Sequence, residues 1–162
     1  VDGNLDFLET ALDSDDCVNS LSDGGAHCGT ICDAAATTFM LQHWVRDRAR
    51  GRIPLERAIK RQCRDTAQLY GFLDRGVIGP GYLADLNVID LDSLALNLPS
   101  VAFDLPAGGR RLLQTAEGYD CTVKSGQVTF RQGHSTGAYP GRVIRGPQSE
   151  PERSIPPETA IG

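Results

Sequence analysis

Residues 21–29 read LSDGGAHCG: an acid, two adjacent glycines and a histidine, directly after a short apolar run. Four chemistries suit such a stretch. A phosphate cradle needs the spacing GxxxxGKS/T, or GxGxxG, opening a helix; neither the spacing nor the lysine is present. A nucleophilic serine or cysteine needs a histidine brought from a separate segment. Ser22, Asp23 and His27 are close neighbours in the chain, and Cys28 adjoins His27 with side chains that diverge. A zinc site could draw on His27, Cys28 and Cys32, three ligands within six residues, if Cys17 or Cys63 folded back as a fourth. The remaining chemistry is a carboxylate, Asp23, projecting from a strand end into a site. Gly24 and Gly25 would let the backbone turn sharply beside a ligand. Its plain counterpart is an Asx-turn or a helix cap made by Asp23, and position alone leaves these two open.

The elements that must place these groups can be read from periodicity. NLDFLETALD sets Leu5, Leu8 and Leu12 at helical spacing, predicting a short amphipathic helix. CVNSLS, residues 17–22, predicts a brief strand that ends at the glycine pair. Asp33 is the expected N-cap of AAATTFMLQHWVRDRAR, with Gly51 as its stop. On that helix Phe39, Met40, His43, Trp44 and Asp47 share a face, and His43 reads as a core histidine. Pro54 suits the first position of the next helix, with Leu55, Ala58, Ile59 and Cys63 as its buried stripe and Glu56–Lys60 as an exposed pair. Asp65 is expected to cap a further short helix, closed by Gly71. Beyond Gly71 the texture changes. Ala84 to Ile89 reads as a strand, and YDCTVKSGQVTFRQG alternates around Ser125–Gly126 as a β-hairpin. His134 falls in an expected exposed turn.

A chain of 162 residues suits one ordinary domain or two small pieces sharing a core. It holds no run of 18 apolar residues, so no membrane partner is expected; no charged-then-apolar leader opens it. The start at Val1 and the single Met40 suggest a processed chain or a fragment. Five scattered cysteines form no disulfide framework, which fits reduced thiols and a cytoplasmic location. The net charge of −5 argues against a nucleic-acid partner. Its distribution is uneven. Before Ser22 stand Asp2, Asp6, Glu9, Asp13, Asp15 and Asp16 without a base, whereas Arg46, Arg48, Arg50, Arg52, Arg57, Lys60, Arg61 and Arg64 crowd residues 46–64. Lacking interleaved aromatics for base stacking, the basic run is expected to be a solvated helix face. One feature is awkward: a lone strand–helix unit needs parallel neighbours to satisfy its backbone. The pattern reads as the last βα unit of a larger barrel with a β appendage.

Several stretches together resemble the amidohydrolase superfamily, and most closely the N-acyl-D-amino-acid deacylases (D-aminoacylases). They are SDGGAH at 22–27, HWVRDRARG at 43–51, RDTAQLYGFLDRGVIGPGYLADLNVID at 64–90, DLPAGGRRLLQTAEGY at 104–119 and VKSGQVTFRQGHSTGAYPGRVIRG at 123–146. The resemblance implies an α/β fold: the last βα unit of a (β/α)8 metal-dependent hydrolase barrel over residues 1–75, and the C-terminal strands of a small β-sandwich over 76–146. Residues 147–162, rich in Pro and Glu, would be a disordered tail. It implies hydrolysis of the amide bond of N-acyl-D-amino acids or similar amides, with zinc as cofactor. Asp23 would then be the catalytic acid, taking a proton from activated water and passing it to the leaving amine, and in some members it also ligates metal. His27, Gly24 and Gly25 would shape the substrate pocket. The HxH motif and later metal-binding histidines of the family have no counterpart among the three histidines here. The chain alone is therefore expected to lack the metal centre and activity. Its partners would be the remainder of the barrel or a second copy of itself. The alternative is a non-catalytic structural or interaction fragment of amidohydrolase descent.

Overall fold

The computed structural model describes residues 5–19 and 27–151. Three helices precede eight short strands. The first helix, Asp6–Asp13, turns Leu8 and Leu12 inward. The second begins as a 3-10 turn at Asp33–Ala35, is α-helical over Ala36–Phe39 and widens to a π-helix over Met40–Asp47. Asp33 lies inside that first turn and makes no cap; the helix ends at Asp47, before the expected stop at Gly51, because Arg48 is already extended. The third is α-helical over Leu55–Lys60, π over Arg61–Asp65 and α again over Thr66–Leu69. Pro54 is the residue before its first turn, and Asp65 lies within the continuous helix instead of capping a new one.

The wider turns move the buried faces away from a 3.6-residue stripe. In the second helix Met40, Leu41 and Trp44 are buried, Phe39 is exposed, and the Arg48 amide bonds five residues back to the His43 carbonyl at 3.0 Å. In the third, Ala58, Arg61 and Ala67 are buried, while Leu55, Ile59 and Cys63 are exposed. Lys60 bonds Asp65 at 2.7 Å, the next turn, in place of the expected Glu56.

Among the described residues every strand ladder is antiparallel, and one isolated parallel bridge joins Phe72 to Gln148. β1 (Leu86–Ile89), β6 (Tyr119–Lys124), β7 (Gln127–Arg131) and β8 (His134–Ser135) form one sheet in the order β1-β6-β7-β8. The Ser125–Gly126 turn is as predicted: both residues have positive φ, 50° and 77°, the primed geometry whose twist matches a two-residue hairpin. His134 is exposed but belongs to β8. β2 (Ala95–Leu96) pairs with β5 (Ala116–Glu117). β3 (Ser100–Leu105) pairs with β4 (Gly109–Leu113) across the turn Pro106–Gly108. The architecture is mixed α/β, three helices with small antiparallel sheets, and the described residues close no barrel. Of the strand expected at 17–22, residues 17–19 are not in a strand and 20–22 lie outside the described residues. The expected tail is ordered at its start, where Gln148 exchanges backbone bonds with Gly71 at 2.7 Å and Leu73 at 3.2 Å.

The core lies where the helices meet the sheet. Met40, Leu41, Trp44, Ile53, Ala58 and Leu94 are buried together, with Leu5, Leu8, Leu12, Ile89, Leu91 and Tyr119 packed around them. Polar ties cross the same seam: Thr38 Oγ1 and Tyr119 Oη are 2.8 Å apart, and the Leu96 amide donates to Gln42 Oε1 at 3.0 Å.

Candidate functional site

Asp23, Gly24 and Gly25 lie outside the described residues. The structure shows what holds the two ends of their segment. On the leading side, residues 17–19 run past the third helix, where the buried Arg61 guanidinium donates to the Cys17 carbonyl at 2.7 Å. The same guanidinium donates to the Asp13 carbonyl at 3.2 Å and to Asp15 Oδ1 at 3.1 Å. On the trailing side, residues 27–30 form a tight turn: the His27 carbonyl accepts from the Thr30 and Ile31 amides at 2.8 and 2.9 Å. That turn docks on β4 through the Leu112 amide, which donates to the Cys28 carbonyl at 2.7 Å. The described residues flanking 20–26 are thus tied to the third helix on one side and to β4 on the other.

The His27 side chain is exposed. His43 is half-buried, stacked on Phe39 with centroids 5.0 Å apart and edge-on to Trp44 at 5.4 Å. It fills a packing role, as the sequence suggested. All five cysteines are unbridged. Zinc binding can be tested on the donor set. Among the described residues no group of three or more His, Cys, Asp or Glu is placed to hold a metal ion, so His27, Cys28 and Cys32 do not form the zinc cluster their spacing allowed. The described residues alone do not make a metal centre.

Beside residues 17–19 lies a cavity of about 440 Å³, walled by Leu8, Leu12, Val18, Phe39, Met40 and Trp44. Asn19 also lines it, and its Nδ2 is buried without a hydrogen-bond partner among the described residues.

The basic run is a solvated face only in part: Arg50, Arg52, Lys60 and Arg64 are exposed, whereas Arg48 and Arg61 are buried. Arg48 is buried, its guanidinium 4.3 Å over the Trp44 ring, paired with Asp6 and 3.7 Å from Glu9. Arg57 Nε meets Asp13 at 2.8 Å. Arg61 is only 2% exposed. The acids of residues 6–15 clamp the first helix onto the arginines of residues 48–61. Motif reading missed Arg61 as the anchor of residues 13–17; its signal was an acid-only stretch at 2–16 set against a base-rich stretch at 46–64.

The described chain is thus a mixed α/β unit, three helices with small antiparallel sheets. A model of the Amidohydrolase family matches residues 4–130, and the chain belongs to that family. No curated protein and no solved structure matches it.

Proposed function

We propose that this chain carries the acid-bearing segment of an amidohydrolase that cleaves the amide bond of N-acyl-D-amino acids or similar amides. The carrying observation is that the described residues on either side of 20–26 are tied down, Cys17 by Arg61 and Cys28 by β4, inside the family-matched region. A flexible carboxylate would waste the proximity on which proton transfer depends; one held at both flanks keeps it. Asp23 takes the proton of the attacking water as its oxygen bonds to the amide carbon, then delivers that proton to the nitrogen as the C–N bond breaks. Gly24, Gly25 and His27 border the substrate. The family is typically metal-dependent; in this reading the ligands belong to residues outside the described ones.

The test uses the natural polypeptide that carries this sequence, assayed with N-acetyl-D- and N-acetyl-L-amino acids. Asn is isosteric with Asp but cannot carry the proton, so Asp23→Asn should lower kcat roughly 10²- to 10⁴-fold with KM little changed. An unchanged kcat would remove Asp23 from the mechanism, and equal rates on both enantiomers would remove the D-specific substrate.

The remaining features of the reading concern setting. Five unbridged cysteines support a reducing, cytoplasmic location. No helix among the described residues is long and apolar enough to cross a membrane. Val88, Val101, Phe103 and Phe130 are exposed on strands, supporting association with further barrel polypeptide or with a second copy. A second reading, a non-catalytic module of the same descent, draws on the acid–arginine clamp, which is structural throughout.

A further inference from the structure

A second cavity, about 290 Å³, lies where residues 142–148 cross the ends of the main sheet. Asp74, Arg75, Lys124, Ser125, Arg142 and Arg145 are among the residues that line it. Its floor is an internally neutralised network. Asp74 accepts Arg75 Nε and Nη2 at 2.8 and 3.0 Å. Asp85, just behind, accepts Lys124 Nζ at 2.9 Å on both oxygens and the Ser125 amide at 2.8 Å. Arg75 Nη1 lies 3.6 Å from Asp85. Both carboxyls are held below the ordinary range. For Asp74 the cause is the Arg75 hydrogen bond; for Asp85, burial pushes upward and the Lys124 and Ser125 bonds outweigh it.

Two floor cations are therefore matched by two floor acids. The rim is different. Arg142 and Arg145 have no carboxylate within ion-pair distance among the described residues. The arm that bears them is fixed to the helical side by the backbone bonds of Gln148 to Gly71 and Leu73. A concave site with two unmatched positive charges thus exists on a chain whose net charge is −5. Concavity concentrates such a field, and guanidinium forks match the paired oxygens of carboxylate and phosphate.

We propose that this cavity binds a small oxyanion, a phosphate or a dicarboxylate, held by Arg142 and Arg145 above the Arg75–Asp74 and Lys124–Asp85 pairs. A volume of 290 Å³ is at the lower end for small-molecule sites, so the ligand is small. The site stands apart from the hydrolytic reading, and no hydrolysis assay bears on it.

The test is calorimetric titration of the full chain, at low ionic strength, with inorganic phosphate and separately with succinate. Saturable one-to-one binding of either probe is expected, phosphate alone assigning a phosphate ligand and succinate alone a carboxylate. Arg142→Ala and Arg145→Ala should each weaken binding at least roughly tenfold. Arg110→Ala removes an exposed arginine on β4 and should leave affinity unchanged. No saturable binding of either probe overturns the proposal. So does an equal loss in Arg110→Ala, which would mean that only overall charge was sensed.

Discussion

Replacing Arg61 with alanine tests whether its buried contacts anchor residues 13–17 to the third helix or merely decorate the surface. The side chain is 3% exposed and makes three donations: to the Cys17 and Asp13 carbonyls at 2.7 and 3.2 Å and to Asp15 Oδ1 at 3.1 Å. Asp15 is 92% exposed, so that ion pair counts for little in water. The carbonyl bonds matter more. A hydrogen bond from a charged donor contributes about 1.5–3 kcal/mol, and Cys17 is itself exposed, so water recovers part of the loss. The net expectation is a loss of about 3 kcal/mol for the two together. Trp44 is the single tryptophan and is buried against the same helices, so its fluorescence reports unfolding in urea. With a slope of about 2 kcal/mol per molar, the midpoint should fall by about 1.5 M. Arg50 is the control: its side chain is 82% exposed in a 3.2 Å pair with Asp6, and Arg50→Ala should stay within about 0.5 kcal/mol. High salt should erase the Arg50 effect and leave most of the Arg61 effect, since buried contacts are weakly screened. Equal midpoint shifts for the two variants would refute the anchoring role of the buried Arg61 contacts.

Acid should unfold the protein through its paired carboxylates. Asp74, Asp85 and Asp104 each have a folded-state pKa below the ordinary 3.8. Their stabilisation is therefore complete above that value and is lost as pH falls through the lower folded values. Urea midpoints should be level above about pH 5 and drop below about pH 4, with a shallower drop in Asp85→Asn; the same slope in that variant would show that Asp85 is not a source. At Gly118, φ is +87° and a Cβ would lie 2.6 Å from Leu94 Cα and 2.9 Å from the Asp90 carbonyl oxygen. Gly118→Ala should cost at least about 2 kcal/mol, read from the same urea curves, whereas Gly126→Ala meets no neighbour within 4 Å and should show only the smaller positive-φ strain.

Local chemistry was legible in the sequence where one short stretch decides the outcome. The Ser125–Gly126 hairpin follows from alternating Val and Phe around two residues that accept positive φ. The first helix follows from Leu5, Leu8 and Leu12. The buried stripes of the longer helices were misplaced because a periodicity of 3.6 was assumed and the π turns displaced it; no local signal in MLQHWVRD announces that widening. The β3–β4 hairpin went unread although Pro106–Ala107–Gly108 is a turn signal between strand-like runs. The ordered start of the tail depends on a bridge from Gln148 to Phe72 that composition cannot show. The candidate site was legible only as the motif SDGGAH; the contacts that hold its described flanks, Arg61 to Cys17 and Leu112 to Cys28, come from sequence positions far from that motif.

The basic run is where sequence reading and structure part most instructively. A charge run is taken as solvated because each isolated ion keeps its hydration, and burial without a partner is costly. That reasoning holds for one helix considered alone. Here the partners are 42 to 48 residues away in the chain, at Asp6, Asp13 and Asp15, and the segregation of acids and bases is what makes pairing possible. Had the two signs been interspersed along each helix, i,i+4 pairs would have satisfied them locally and left the first helix unattached. Because Arg61 also grips the Cys17 carbonyl, the attachment extends to the segment that leads toward Asp23. The uneven charge distribution therefore serves the attachment of the first helix and of residues 13–17 to the rest of the helical core.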